Sequence, residues 1–185
     1  GDNPVQTVLE FLGFATATNA GWNAAAYAAF IGIIVGVFLE RYRNLLYTIG
    51  AGVLALYAIF FLHNPLFSTL QTLIVISGLL QLMRASKRVA ISVMVFLTVT
   101  AYLFLLFGGT ITDVWSLAGS LGLLGIAFGL TILPKRHGFL IMAVGGVLLI
   151  AYAFVVSAWV FFFLNIVFAV ANVKVWSKQS ERGQR

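Results

Sequence analysis

Residues 22–43 read "WNAAAYAAFIGIIVGVFLERYR" and residues 115–136 read "WSLAGSLGLLGIAFGLTILPKR". Four landmarks of the first stretch, Trp22, Gly32, Gly36 and Arg43, return in the second as Trp115, Gly125, Gly129 and Arg136, each displaced by 93 residues. In both, a tryptophan opens an apolar run and an arginine closes it. A helix of about 20 residues rising 1.5 Å per residue crosses a hydrocarbon layer about 30 Å thick. Tryptophan at one interface and arginine at the other anchor its two ends. The chain therefore carries one spanning helix twice, in the same orientation, and the number of spans between the copies decides the fold.

Composition fixes the solvent. With 62% hydrophobic and 9% charged residues, the chain cannot offer water the surface of a soluble domain. Its 185 residues leave room for about seven spans with short connections. Apolar runs predict spans over residues 20–39, 45–62, 66–83, 89–108, 112–133, 138–156 and 158–176. The two copies then begin at spans 1 and 5. Spans 1 to 3 and 5 to 7 form two three-helix repeats, and span 4 is the extra crossing that restores the orientation. The expected fold class is an all-α integral membrane protein in a 3+1+3 arrangement, its parallel repeats related by an axis along the membrane normal. The expected organisation is an interfacial segment over 1–19, a first repeat over 20–84, a linker helix over 85–109, a second repeat over 110–176 and a basic tail over 177–185. In the first segment Val5, Val8, Leu9 and Leu12 oppose Gln6, Thr7 and Glu10 at helical spacing, so it reads as a short amphipathic helix lying in the interface. It is too short and too poor in basic residues for a cleaved signal peptide.

Charge placement agrees with that count. Arg41 and Arg43 follow span 1, Arg84, Lys87 and Arg88 follow span 3, Lys135 and Arg136 follow span 5, and Lys174, Lys178, Arg182 and Arg185 close span 7. These eleven are all the Lys and Arg of the chain, and an odd span precedes every cluster, so they share one side. Asp2, Glu10 and Asp113 lie on the other. By the positive-inside rule the N-terminus is outside and the C-terminus cytoplasmic, with a bacterial inner membrane as the expected location. The basic clusters are explained by orientation and by contact with anionic headgroups, and need no nucleic acid. Cysteine is absent, which removes disulfides and thiolate chemistry.

Span 3 and span 7 each carry an amide inside the apolar run. With a shift of one residue, "FSTLQ" (67–71) aligns with "FFFLN" (161–165), pairing Phe67 with Phe161, Leu70 with Leu164 and Gln71 with Asn165. Both amides lie roughly 10 Å along their helices at 1.5 Å per residue. An unsatisfied amide facing lipid costs several kcal/mol, so both should face the bundle interior. Two readings are open: interhelical hydrogen bonds that hold helices together, or the lining of a polar path. Gly32-x3-Gly36 and Gly119-x2-Gly122-x2-Gly125-x3-Gly129 read as small-residue faces that let helix backbones approach.

At this point the chain resembles the superfamily that contains the SWEET sugar transporters and the PnuC nicotinamide riboside transporters. The topological resemblance covers nearly the whole chain. Several short stretches are more similar to the PnuC side, whose third helix carries a Leu-Gln-x6-Asn pattern. Here "LNIVFAVAN" places Leu164, Asn165 and Asn172 at that spacing, and "LQTLIVISG" places Leu70, Gln71 and Gly78. The family's aspartate near the start of span 5 is similar to Asp113 in "TDVWSLAG", and its aromatic end to span 7 is similar to Trp176. Span 2 differs, with "YTIGAG" where the vitamin transporters tend to carry an asparagine, and spans 1 and 5 lack the interior prolines of SWEETs. The resemblance implies a transporter of a vitamin- or nucleoside-like solute.

Further candidates for contact with the solute are Tyr57 and Tyr152, at comparable depths of spans 2 and 6, and Trp22 and Trp115 at the outer interface, where anchoring in the aromatic belt is the competing reading. Asp113 is a candidate gate, with a helix N-cap as the alternative. His63 reads as a turn residue and His137 as a headgroup contact. No His, Asp or Glu residues share a metal-ligand spacing and no nucleophile, base and acid converge, so neither a cofactor, a metal nor an enzyme is expected. No span holds an acid, Lys or Arg in its middle, whereas ion-coupled carriers place such groups in their pathways. The expectation is a passive facilitator of a small neutral hydrophilic solute bound between the repeats. The alternative is a non-transporting membrane subunit or scaffold, alone as a homo-oligomer or with a partner subunit.

Overall fold

The structure, a computed structural model, describes residues 3–182, without the side chain of Arg182; the readings made on Asp2, that side chain and Arg185 lie outside the described residues. It is all helix, with no strand among the described residues. A short helix α1 (Pro4–Phe11) precedes seven long ones, α2 (Ala17–Phe38), α3 (Arg43–Tyr57), α4 (Pro65–Leu82), α5 (Lys87–Phe107), α6 (Val114–Ile132), α7 (Arg136–Val155) and α8 (Trp159–Arg182). A π-helical turn, Ala58–Leu62, extends α3. These seven are long and apolar enough to cross a membrane, and they match the seven expected spans. The largest difference is at α8, which runs past Trp176 to Arg182. The apolar run ends there, but Ser177, Lys178, Gln179 and Glu181 include good helix formers, so the backbone ladder continues beyond the hydrocarbon.

The helix ends follow from local chemistry. Thr16 caps α2 by accepting from the Asn19 N–H at 3.2 Å, and Asn64 caps α4 by accepting from the Phe67 N–H at 2.9 Å with Pro65 at the first helical position. Ser86 does the same for α5. At the opposite ends, Arg84 and Ser157 take left-handed backbone conformations with φ of 54° and 56°. Each lets the next residue's N–H reach a carbonyl five residues back, Ala85 to Leu80 at 3.0 Å and Ala158 to Ala153 at 2.9 Å. Both are Schellman-type closures, which stop a helix and reverse the chain in two or three residues.

Sequential neighbours pack in order, α2 on α3, α3 on α4, α6 on α7 and α7 on α8. Two further contacts, α4 on α6 and α8 back onto α2, close these six helices into a ring, and α5 lies outside the ring against α4 and α6. That position explains why α5 is the least buried span. The ring's interior holds one continuous core that includes Leu54, Leu66, Phe67, Leu123, Leu149 and Phe161, each fully buried.

The tightest seam is α6 against α7. A Cβ added at Gly122 would sit 2.7 Å from the carbonyl oxygen of Gly145, and one added at Gly145 would sit 2.7 Å from that of Gly122, so only glycine permits this approach. The expected small-residue face of α6 is therefore used. On α2 the expectation holds at one end only. Gly36 lies under the Tyr47 ring, while the space where a Cβ would stand at Gly32 is open. The close approach to α3 is made instead by Gly50, whose added Cβ would lie 2.9 Å from the Ala29 carbonyl oxygen. Helix α1 packs lightly, with Val5, Val8, Leu9 and Phe11 all exposed.

Candidate functional site

Among the described residues, the basic side chains Arg41 to Lys178 stand at or toward one set of helix ends, and the opposite end carries an aromatic layer. Phe67 of α4 and Phe161 of α8 stack nearly parallel, with ring centroids 4.2 Å apart and an interplanar angle of 6°. Tyr152 of α7 packs on Phe67 at 5.4 Å, and Tyr57 of α3 packs on Phe161 at 6.1 Å. All four side chains are buried, so this layer occludes the centre of the ring. Phe61 continues it outward from Tyr57, and Trp22 joins at the edge by stacking on Phe61 at 6.2 Å. Trp22 is therefore a peripheral member. Trp115 is 47% exposed and stacks on no aromatic ring among the described residues, so it stands apart from this layer.

The tyrosine hydroxyls are committed to protein partners. Tyr57 donates to Asn23 Oδ1 at 2.8 Å, and the amide nitrogen of Asn23 donates in turn to the Gly13 carbonyl at 3.1 Å and to that of Asn19 at 2.8 Å. Tyr152 accepts from Asn64 Nδ2 at 3.0 Å. Both act as fasteners of the aromatic layer. Asn23 was missed by sequence reasoning, although a signal existed: an asparagine in the first turns of an apolar span is expensive unless bonded.

One turn farther toward the basic end come the amides Gln71 and Asn165, with Asn172 two turns beyond Asn165. Gln71, Asn165 and Asn172 are buried, at 2%, 3% and 0% exposure. Asn165 Nδ2 donates to the Phe161 carbonyl at 2.7 Å, and Asn172 Nδ2 to the Phe168 carbonyl at 2.8 Å, each four residues back in its own helix. Because the partner is a carbonyl oxygen, the atom facing it must be the amide nitrogen, which leaves each amide oxygen directed elsewhere. Gln71 Oε1 and Asn172 Oδ1 are buried without any partner. The interhelical hydrogen bond that the packing reading needs is made by none of the three.

Asp113 caps α6. Its carboxylate accepts from the Ser116 N–H at 2.8 Å and from the Ser116 hydroxyl at 2.9 Å, and that hydroxyl accepts from the Asp113 N–H at 3.0 Å. This reciprocal box satisfies the helix start and holds the carboxyl below its usual range, the backbone donor of Ser116 contributing most. Asp113 therefore serves as the N-cap of α6.

At the basic end two arginines are structural in a way their spacing did not disclose. Arg43, 8% exposed, donates from Nε to the Gly36 carbonyl and from Nη2 to the Val37 carbonyl, both at 3.1 Å, closing the last turn of α2. Its guanidinium lies 5.1 Å from the Phe139 ring of α7. Arg136 donates to the Trp176 carbonyl at 3.3 Å and lies 4.6 Å from the Trp176 ring. A cavity of about 220 Å³ opens beside Arg43 and reaches Ile74, one turn from Gln71. No group of three or more acidic or His side chains that could hold a metal occurs among the described residues. The chain matches no protein-family model, no curated protein and no solved structure.

Proposed function

We propose that the protein is a membrane facilitator that passes a small neutral hydrophilic solute between two three-helix units, α2–α4 and α6–α8, with α5 as the joining helix. Matched contacts support the repeat. Ala29 meets Gly50 in one unit as Gly122 meets Gly145 in the other, and "GAGVLALYA" (50–58) aligns with "GGVLLIAYA" (145–153). Tyr57 packs on Phe161 as Tyr152 packs on Phe67. Phe67 and Phe161 stack on each other, as equivalent residues do when they flank a two-fold axis. In this reading the basic end is cytoplasmic and the N-terminus outside, in a bacterial inner membrane, by the positive-inside rule.

The observation that carries the function is the pair Gln71 and Asn165. Buried amides at matching positions, bonded to no neighbouring helix, are costly as packing devices and useful as ligands for a polar solute. The aromatic layer lies on one side of them, and the cavity beside Arg43 stops at Ile74 on the other; in this reading the first is the closed outer end and the second the inward approach. A vitamin- or nucleoside-like solute is the first choice on the strength of the PnuC-like spacing of Leu164, Asn165 and Asn172. Liposome uptake across a panel of sugars, nucleosides and vitamins tests this. Gln71→Leu should fold because it removes a buried amide oxygen without a partner, and Asn165→Leu because it gives up only a bond within its own helix; each should lower uptake severalfold, and Asn165→Gln should keep more of it. Normal uptake by the double Leu variant would return the protein to the scaffold reading.

A further inference from the structure

We infer that the cavity at the basic end, between α3, α4 and α6, is a binding site for a phosphate oxyanion. The site uses none of the central amides, although the proposed function takes the same cavity as the inward approach to them, and it stands whether or not the protein transports. Its walls carry uncommitted donors. Among the described residues, Arg43 bonds only two backbone carbonyls, through Nε and Nη2, and Nη1 has no partner. Its charge is thus buried against neutral acceptors and the Phe139 ring, with no carboxylate bonded to it. A buried cation without a counter-ion is costly, and a second-row oxyanion is the ligand that relieves it.

A second observation points the same way. Tyr47 lines the cavity at 4% exposure, and its hydroxyl is buried with no hydrogen-bond partner. Asn44, Ser77 and Gln81 complete the polar wall, and among the described residues the side chain of none of the three makes a hydrogen bond; of Asn44 only the backbone carbonyl is engaged by a side chain, accepting from the Thr48 hydroxyl. Donors from one guanidinium, two hydroxyls and two amides suit the several oxygens of phosphate better than the two of a carboxylate. At about 30 Å³ per water, 220 Å³ has room for about seven waters, enough for a phosphate and a small substituent. The adjoining cavity of about 240 Å³ shares Ser77 and Gln81 and adds Lys87 beside Ile91 and Met94. A second cation next to an apolar wall means that the phosphate can be free or the headgroup of a phospholipid. Glu40 at the mouth is the acidic side chain that faces the site, exposed to water where its repulsion is screened.

The test uses the full chain, purified and delipidated in a neutral detergent. Inorganic phosphate is titrated calorimetrically at low ionic strength, and phosphatidylglycerol retention is read by native mass spectrometry after passage through mixed phosphatidylcholine–phosphatidylglycerol nanodiscs. Saturable phosphate binding that persists in pure phosphatidylcholine nanodiscs identifies free phosphate as the source. Selective phosphatidylglycerol retention without it identifies the lipid. In either case Tyr47→Phe should weaken binding about tenfold, the scale of a hydrogen bond to a charged group, without lowering the unfolding midpoint. Ser77→Ala and Gln81→Leu should weaken it too, and Glu40→Gln should tighten it about twofold. The inference is overturned if neither probe binds selectively, or if Tyr47→Phe, Ser77→Ala and Gln81→Leu leave both unchanged.

Discussion

The seam between α2 and α3 and the seam between α6 and α7 solve one problem with different materials. Between α6 and α7 the backbones touch at two levels, Gly122 against Gly145 and Gly129 against Gly138, and at each level both glycines face a carbonyl oxygen of the partner helix. Between α2 and α3 a single glycine, Gly50, approaches the Ala29 carbonyl, and the Ile33 side chain fills the space beside it. Backbone cannot turn aside, whereas a side chain can change rotamer. The α6–α7 pair is therefore the stiff half of the bundle, and the α2–α3 pair the half that can accommodate change.

That contrast breaks first at its glycines. Gly122→Ala or Gly145→Ala should cost about 3 kcal/mol in thermal unfolding in detergent, because the new methyl meets a carbonyl oxygen. Gly50→Ala should cost about 1 to 2 kcal/mol, since one of its two obstacles is the Ile33 side chain. Equal losses at Gly50 and Gly145 would remove the difference between the halves. The tyrosine fasteners come next. Tyr57→Phe and Tyr152→Phe should each cost about 1 kcal/mol through the lost hydrogen bond. They differ in reach: Tyr57 ties α3 to α2, while Tyr152 ties α7 to the turn before α4, so Tyr152→Phe should increase hydrogen exchange in that turn and Tyr57→Phe should increase it at Gly13 and Phe14.

Smaller effects sharpen the picture. Gly32→Ala should stabilise α2 by about 0.5 to 1 kcal/mol, because the added methyl finds open space and glycine is the poorer helix former. The caps differ as well, neutral Thr16 on α2 against Asp113 on α6. The folded carboxyl of Asp113 titrates below its ordinary value of 3.8. Its stabilisation is thus complete above that value and lost as pH falls through the lower folded one. Acid unfolding in that window should be shallower in Asp113→Asn, and a Thr16→Ala variant should keep the wild-type pH profile.

Much of the fold was legible because the bilayer enforces simple rules. Span lengths, the placing of Lys and Arg after the odd spans and the small-residue face of α6 are all linear patterns, and each was readable one residue at a time. The candidate site was legible in part. Gln71, Asn165 and Asn172 stood out as amides in apolar runs, and the structure buries all three. What spacing concealed was partnership. Asn23 looks like a residue at a helix entrance until Tyr57 arrives from 34 positions away, and Arg43 looks like one more topogenic charge until its guanidinium folds back onto the end of α2.

The sequence by itself determined the solvent, the number of spanning helices and the position of each polar group along its helix, since hydrophobicity, charge and rise per residue act along the chain without knowledge of neighbours. Only the tertiary structure decided which amides bond other helices and which are left with free oxygens, which arginine is buried, and that Phe67 and Phe161 meet face to face. Those outcomes depend on which helix faces come together in the ring, and that is set by packing between residues far apart in the chain, where close approach at a glycine or the bulk of one side chain determines what can touch.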